Sequence, residues 1–184
     1  MSRVTVLLPV HNAAATLDRA LHSLWRQTHR DFTVITVDDG STDATPEILA
    51  AHAGREARLS VTRTPNRGIV QALETARKAS DTPLLARIDA DDIAHPERFA
   101  LQLALMEARP DIAVLGCRVA KFPRRDLGAG WRRYQVWLNG LVTAEDHARE
   151  LFVESPLAHP SVMFRADAVA AVGGYREVAW AEDY

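Results

Sequence analysis

The sequence predicts an α/β fold: an open, mostly parallel sheet with helices on both faces. Two observations predict it. Short β-branched runs alternate along the chain with segments whose apolar residues recur every three or four positions. The runs are also nearly all apolar, as in Val4-Thr5-Val6-Leu7-Leu8, the composition of strands covered on both sides. With 184 residues the chain is expected to form a single domain that buries a sizeable core without disulfides or structural metal.

The elements follow in order. Val4 to Leu8 reads as a first strand. Residues 14–26 read as a helix, with Leu17, Leu21, Leu24 and Trp25 at helical spacing. Phe32 to Val37 is a second strand. Thr45-Pro46-Glu47 reads as an N-cap followed by proline at the first helical position, opening a helix to Ala53. Leu59 to Thr62 is a third strand, and residues 68–79 a helix that turns Val70, Leu73 and Ala76 inward. Pro83 to Ile88 is a fourth strand, Pro96 opens a helix to Glu107, and Ile112 to Leu115 is a fifth strand. Beyond Cys117 the pattern loosens. Ala144 to Phe152 reads as helical, Ser161 to Phe164 as strand, and Ala166 to Val172 as a short helix ended by Gly173-Gly174. Residues 1–117 and 118–184 thus form an ordered first half and a looser second half.

Composition removes several classes. Lys and Arg number 22 against 24 Asp and Glu, so a generally basic nucleic-acid binder is excluded. The single Cys117 allows no internal disulfide and no multi-cysteine zinc site, and it reads as a core thiol ending a buried strand. His11, His22, His29, His52, His95 and His147 show no metal-ligand spacing. No apolar run approaches ~18 residues, so the chain reads as cytoplasmic and non-spanning. Residues 118–140 hold six basic residues and one acid, interleaved with Phe122, Trp131, Tyr134 and Trp137. They read as a solvated loop and helix whose tryptophans pack on the core. The competing reading is a basic patch that meets an anionic group at a membrane surface.

Ligands of open α/β sheets bind beyond the carboxyl ends of the strands. There the sequence places Pro9-Val10-His11-Asn12, Asp38-Asp39-Gly40-Ser41, Pro65-Asn66-Arg67-Gly68 and Asp89-Ala90-Asp91-Asp92. Five aspartates converge on one edge. Clustered carboxylates repel one another unless a cation neutralises them. Oxygen ligands without Cys or His point to a hard ion, Mg²⁺ or Mn²⁺, which usually shares its shell with substrate phosphates. A phosphate-bearing substrate, a nucleotide first, is the inference. Taken singly, Asp38-Asp39-Gly40-Ser41 reads as a turn, Asn66-Arg67-Gly68 as a loop entering a helix, and Asp89 to Asp92 equally as a site or as a loop capping the helix at Pro96; the coincidence at consecutive strand ends carries the argument. Neither Gly-x-Gly-x-x-Gly after the first strand nor a P-loop is present, which argues against dinucleotide oxidoreductases and P-loop enzymes. An aspartyl phosphohydrolase would need its nucleophile at position 37, which is Val. A sugar-phosphate nucleotidyltransferase would need a glycine-rich basic loop, and Pro9 to Thr16 has neither glycine nor a basic side chain.

These residues resemble glycosyltransferase family 2, with its GT-A, Rossmann-like fold. The resemblance runs through Val4 to Asn12, Val37 to Asp43, Arg87 to Ile93 with Pro96-Glu97-Arg98, His159 to Arg165, Gly173-Gly174-Tyr175 and Glu182-Asp183-Tyr184. It implies inverting transfer of a sugar from a nucleoside-diphosphate sugar, a UDP-sugar first, to the hydroxyl of a glycan or lipid-linked acceptor in polysaccharide or glycan synthesis. It implies that residues 1–117 form the donor half and 118–184 the acceptor half. Pro9, Val10, His11 and Ala90 would lie against the donor, and Asp38 would accept a hydrogen bond from the base. Arg67 would approach the base or diphosphate, and Asp89 would face the ribose or diphosphate. Asp91 would bind Mn²⁺ or Mg²⁺, and Asp183 would be the general base. His159 is open between a donor contact and a structural role. Family members usually continue past the Glu-Asp motif, so a chain longer than 184 residues is expected. A non-catalytic or incomplete nucleotide-sugar-binding fragment is the alternative. Peripheral contact at the inner face of a membrane and a homodimer are the further associations considered.

Overall fold

The computed structural model describes residues 2–123, 125 and 127–177. Its centre is a six-stranded sheet of β1 (Val4–Val10), β2 (Phe32–Asp39), β3 (Leu59–Thr64), β4 (Leu84–Arg87), β5 (Val114–Leu115) and β6 (Met163–Arg165). The spatial order is β3-β2-β1-β4-β6-β5. β1 lies parallel to both β2 and β4, and β2 lies parallel to β3. Every residue of β1 is buried, as its apolar run predicts for a central strand.

Alternation along the strands sorts side chains to two faces. Val4, Val6, Leu8 and Val10 join Phe32, Val34, Leu84 and Ala86 in one core. The helices α1 (Leu17–Trp25), α2 (Thr45–Ala53) and α4 (Arg98–Ala108) supply Leu17, Leu21, Leu24, Leu49, Phe99, Leu103 and Met106 to it. Leu7, Ile35, Val37 and Leu85 face the other way. They pack on Ala72, Leu73 and Ala76 of α3 (Ile69–Lys78) and on Phe164 and Val169, the latter in α7 (Ala166–Ala171). Helices therefore cover both faces, and the first four strands stand within two residues of their predicted places.

The structure departs from expectation in four places. β6 runs antiparallel to β4, and β5 antiparallel to β6, so the sheet ends in a reversed pair. β5 is only two residues long and lies at the sheet edge. Cys117, just beyond it, is exposed rather than a core thiol. Thr45 does not cap α2: the helix starts at Thr45 itself, and its buried hydroxyl accepts the Ala13 N–H at 2.9 Å. The helix expected within residues 118–140 is α5 (Ala129–Gly140), followed by the expected α6 (Ala144–Glu150) with a Thr143–Asp146 capping box. In α5 only Leu138 is buried, and Trp131 is 53% exposed instead of packed on the core.

Candidate functional site: an acidic cleft at the carboxyl ends of β1, β2 and β4

The central strands end in a cleft of about 530 Å³. Its walls are Pro9 to Ala13, Ala15 and Thr16 after β1, Asp39 of β2, Ile69 and Ala72 of α3, and Asp89, Ala90 and Asp91 after β4. Six of the residues chosen from the sequence meet here: Pro9, Val10, His11, Asp89, Ala90 and Asp91. Asp38 and Arg67 are not among the lining residues, and Asp183 lies outside the described residues.

Sheet alternation decides between the two aspartates of β2. Asp39 shares its face with Ile35 and Val37, the side that packs on α3. Its carboxylate accepts the backbone N–H of Gly68 at 2.8 Å, that of Arg67 at 2.9 Å and the Thr64 hydroxyl at 3.2 Å. It thereby fixes the loop that delivers Ile69 to the cleft. Asp38 points to the opposite face. There Oδ1 accepts the Ser41 N–H at 2.9 Å and Oδ2 stands 3.4 Å from Arg63 Nε. Asp38, the expected base acceptor, bonds to its own turn and to Arg63, and Asp39 is the aspartate of β2 that lines the cleft. Arg67 is held through its backbone while its side chain is exposed.

His11 contributes its ring and not only its main chain. Nδ1 lies 2.8 Å from the Asp39 carbonyl, so it carries the proton and donates. Nε2 then accepts from the side-chain amides of Asn12 at 3.0 Å and Asn66 at 3.2 Å. One imidazole ties together the ends of three strands. Asn12 returns the contact: its Oδ1 accepts the Thr42 N–H at 2.8 Å, and its own N–H donates to Ser41 Oγ at 2.9 Å. Gly40 makes this close approach possible. It has φ +72°, and a Cβ there would stand 2.7 Å from the Asn66 nitrogen.

The second acidic group follows β4. Carboxylate oxygens of Asp89, Asp91 and Asp92 all come within 4.8 Å of one another. Asp91 is exposed, and the other two are half-buried. Burial, then the charges of Asp89 and Asp91, push the Asp92 carboxyl up to about 6. Such a trio of oxygen donors fits a hard divalent cation, and the crowding of Asp92 is the electrostatic cost that a cation would relieve. Asp92, from the same sequence motif, joins the expected ligand Asp91 through this three-residue proximity.

Two buried guanidinium groups stand behind this turn. Arg87, 2% exposed, reaches Asp89 Oδ1 through Nη2 at 2.9 Å. Arg98 donates from Nη2 to the carbonyl oxygens of Arg87 at 2.7 Å and Val162 at 3.2 Å. Gln102 adds bonds to the carbonyls of Leu115 and Ser161. The acidic turn is thus bonded to the reversed end of the sheet. His159 stacks on Tyr175 with ring centroids 5.7 Å apart, and its Nε2 lies 3.2 Å from the Tyr175 hydroxyl. Burial first, then the Arg87 charge, hold His159 down at about 3, so it is neutral at any physiological pH. Burial pushes Tyr175 up to about 12. The neutral phenol–imidazole pair forms a seam next to Arg87.

The profile of Glycosyl transferase family 2 matches residues 5–173. The amylovoran biosynthesis glycosyltransferase AmsE of Erwinia amylovora is 31% identical over 186 residues, covering 98% of this chain and 66% of the relative. Chondroitin synthase of Escherichia coli is 30% identical over 182 residues, covering 98% of this chain and 25% of the relative. Among solved structures, S. aureus TarS 1–349 in complex with UDP superposes with a TM-score of 0.78 at 21% identity, over 100% of this chain and 53% of that one. The mannosyltransferase PcManGT of Pyrobaculum calidifontis in complex with GDP-Man and Mn²⁺ gives 0.73 at 23% identity, over 95% of this chain and 47% of that one. The chain spans 66% of AmsE and smaller shares of these other proteins. The family profile covers more than nine-tenths of the chain and includes every residue that lines the cleft: the chain belongs to glycosyl transferase family 2.

Proposed function

We propose that the protein transfers a sugar from a nucleoside-diphosphate sugar to an acceptor hydroxyl, with inversion at the anomeric carbon, in the synthesis of a polysaccharide or glycan. The carrying observation is the meeting, in one cleft of about 530 Å³, of an apolar wall from β1 and α3 with the Asp89–Asp91 turn. The apolar wall suits a nucleoside, and the acidic end suits a cation and a diphosphate. Relatives support the reading: one structural neighbour was solved with UDP, another with GDP-Man and Mn²⁺.

Asp91, with Asp89 and Asp92, would hold Mn²⁺ or Mg²⁺. The bound ion would neutralise the charge that grows on the leaving nucleoside diphosphate. Pro9, Val10, Ile69 and Ala72 bound the nucleoside and exclude water from it. Asp39 keeps the Arg67–Gly68 loop in place beside it. Asp183 is the proposed general base, taking the acceptor proton as the hydroxyl attacks from the face opposite the diphosphate; one such displacement inverts the centre.

Calorimetric titration with UDP and GDP, with and without Mn²⁺, tests the donor half of this reading. Micromolar binding of one nucleotide that needs Mn²⁺ is expected. No heat from either nucleotide in the presence of Mn²⁺ overturns it. Release of nucleoside diphosphate from a panel of nucleotide sugars then names the donor.

A further inference from the structure

The surface of α5 is not used by the cleft or by the core. Its inner side is pinned by specific bonds. Gln135 Oε1 accepts the Lys121 N–H at 2.8 Å, and Asn139 bonds both the N–H and the carbonyl of Val119 at 2.8 Å. The Lys121 ammonium sits 3.7 Å from the Trp131 ring centroid and 5.3 Å from that of Tyr134. Trp137 Nε1 donates to Glu150 of α6 at 3.3 Å. With these residues turned inward, helical spacing turns Ala129, Arg132, Arg133, Val136 and Gly140 outward.

That outward face is basic and partly apolar. Arg132 and Arg133 are exposed, and their Nε atoms donate only to the backbone carbonyls of Leu127 and Ala129. Among the described residues neither is ion-paired, whereas Arg3, Arg58, Arg77, Arg109 and Arg149 each meet a carboxylate. Val136 on that face is 73% exposed. Seven of the fourteen large apolar side chains exposed among the described residues fall between Phe122 and Val153. Exposed arginines beside exposed aliphatic groups match the two layers of a lipid surface, with anionic headgroups outside acyl chains. A soluble phosphate would use the arginines and leave the apolar groups without a partner.

We infer that the outward face of α5, through Arg132, Arg133 and Val136, docks this protein on an anionic phospholipid surface. The docking is peripheral: no helix among the described residues is long and apolar enough to cross a membrane. It brings the chain to the plane where a lipid-linked acceptor would lie, independently of donor binding.

Co-sedimentation tests it, using vesicles of phosphatidylcholine alone and of phosphatidylcholine with 30% phosphatidylglycerol (about one-third anionic lipid, chosen to give a negative surface), at low and at physiological salt. The expected result is binding to the anionic vesicles only, weakened by salt. R132A/R133A should weaken it roughly thirty-fold, and V136S more modestly. UDP binding with Mn²⁺, or the melting temperature if UDP does not bind, should be unchanged in these variants and shows that they are folded. Absence of binding to anionic vesicles at low salt overturns the proposal. So does equal binding to both vesicle types, or full release by millimolar inorganic pyrophosphate, which would make the ligand a free phosphate group.

Discussion

Arg87 is sealed in the core, yet its Nη2 lies 2.9 Å from Asp89, a carboxylate that faces the cleft. A buried cation is thus spent on fixing one cleft carboxylate. Removing one partner of such a pair strands the other charge. R87M is expected to lose roughly 2–3 kcal/mol, below the range for a fully buried pair because Asp89 keeps 29% side-chain exposure. D89N in the R87M background should recover part of the loss, since the stranded carboxylate is then gone. Thermal melts of the two singles and the double give the coupling. Equal melting of R87M and R87M/D89N would show that Arg87 acts through other contacts.

Asp92 makes the metal-free protein sensitive to pH. Its folded carboxyl titrates at about 6 against an ordinary 3.8. Between those values the folded chain holds a proton that the unfolded chain has released. Stability therefore falls as pH rises from about 4 to about 6, then levels off. D92N removes the slope and should raise the stability of the metal-free protein at pH 7.5 by on the order of 1–2 kcal/mol. Mn²⁺ needs the ionised group, so it should raise the melting temperature of the wild type more at pH 7.5 than at pH 5. It should raise that of D92N least. A D92N protein that melts below wild type without metal at pH 7.5 would refute the crowding argument.

Asp91 carries the metal assignment made from the sequence. It is the exposed member of the trio, so D91A should leave the fold intact and cost little stability. Mn²⁺-dependent UDP affinity should fall at least about tenfold, or about 1.4 kcal/mol. Calorimetry on D91A that returns wild-type affinity with Mn²⁺ would remove Asp91 from the ligand set.

The four parallel strands and the carboxyl-edge clustering were legible because local signals agree there. Each strand is a short apolar run bounded by turn residues, and the topology of open α/β sheets puts their ends together. The reversal at β6 was not legible. Its pairing with β4 joins Phe164 to Leu85 across almost eighty residues, and no local pattern encodes the direction of such a pair. The bounds of α5 within the expected loop and helix were hidden for a different reason: it buries one residue, Leu138, so its apolar period is too weak to read. That Asp39 lines the cleft was within reach. Val37 points to α3, so period two places residue 39, not 38, on that face.

Asp39 and Asp38 can be separated by experiment. Asp39 is 4% exposed and its carboxylate receives two backbone N–H groups and one hydroxyl. In D39N an amide N–H must face one of those donors, costing about 1–3 kcal/mol and loosening the loop before Ile69. Asp38 shares one oxygen with exposed Arg63, and Asn in its place can still accept the Ser41 N–H. D39N should therefore weaken UDP binding by tenfold or more, and D38N by much less. The opposite ranking would return the base-side role to Asp38.

The seam between α3 and residues 174–175 gives the last prediction. Glu74 accepts two bonds from Arg77 at 2.7 Å and the Tyr175 N–H at 3.2 Å. Those bonds, Arg77 first, hold its carboxyl down at about 2. A depressed carboxyl contributes stability above its unfolded value of 4.5 and loses it as pH falls toward 2. E74Q should flatten acid unfolding across that window. Gly174 passes directly over the pair: it has φ +75°, and a Cβ would stand 2.6 Å from Glu74 Oε2 and about 3 Å from Arg77. G174A therefore strains the backbone by about 1–2 kcal/mol and displaces the ion pair as well. Because the contacts are shared, the two substitutions should not add: E74Q/G174A should lose less than the sum of the singles. Strict additivity in urea melts at pH 7 would show that Gly174 does not act through Glu74.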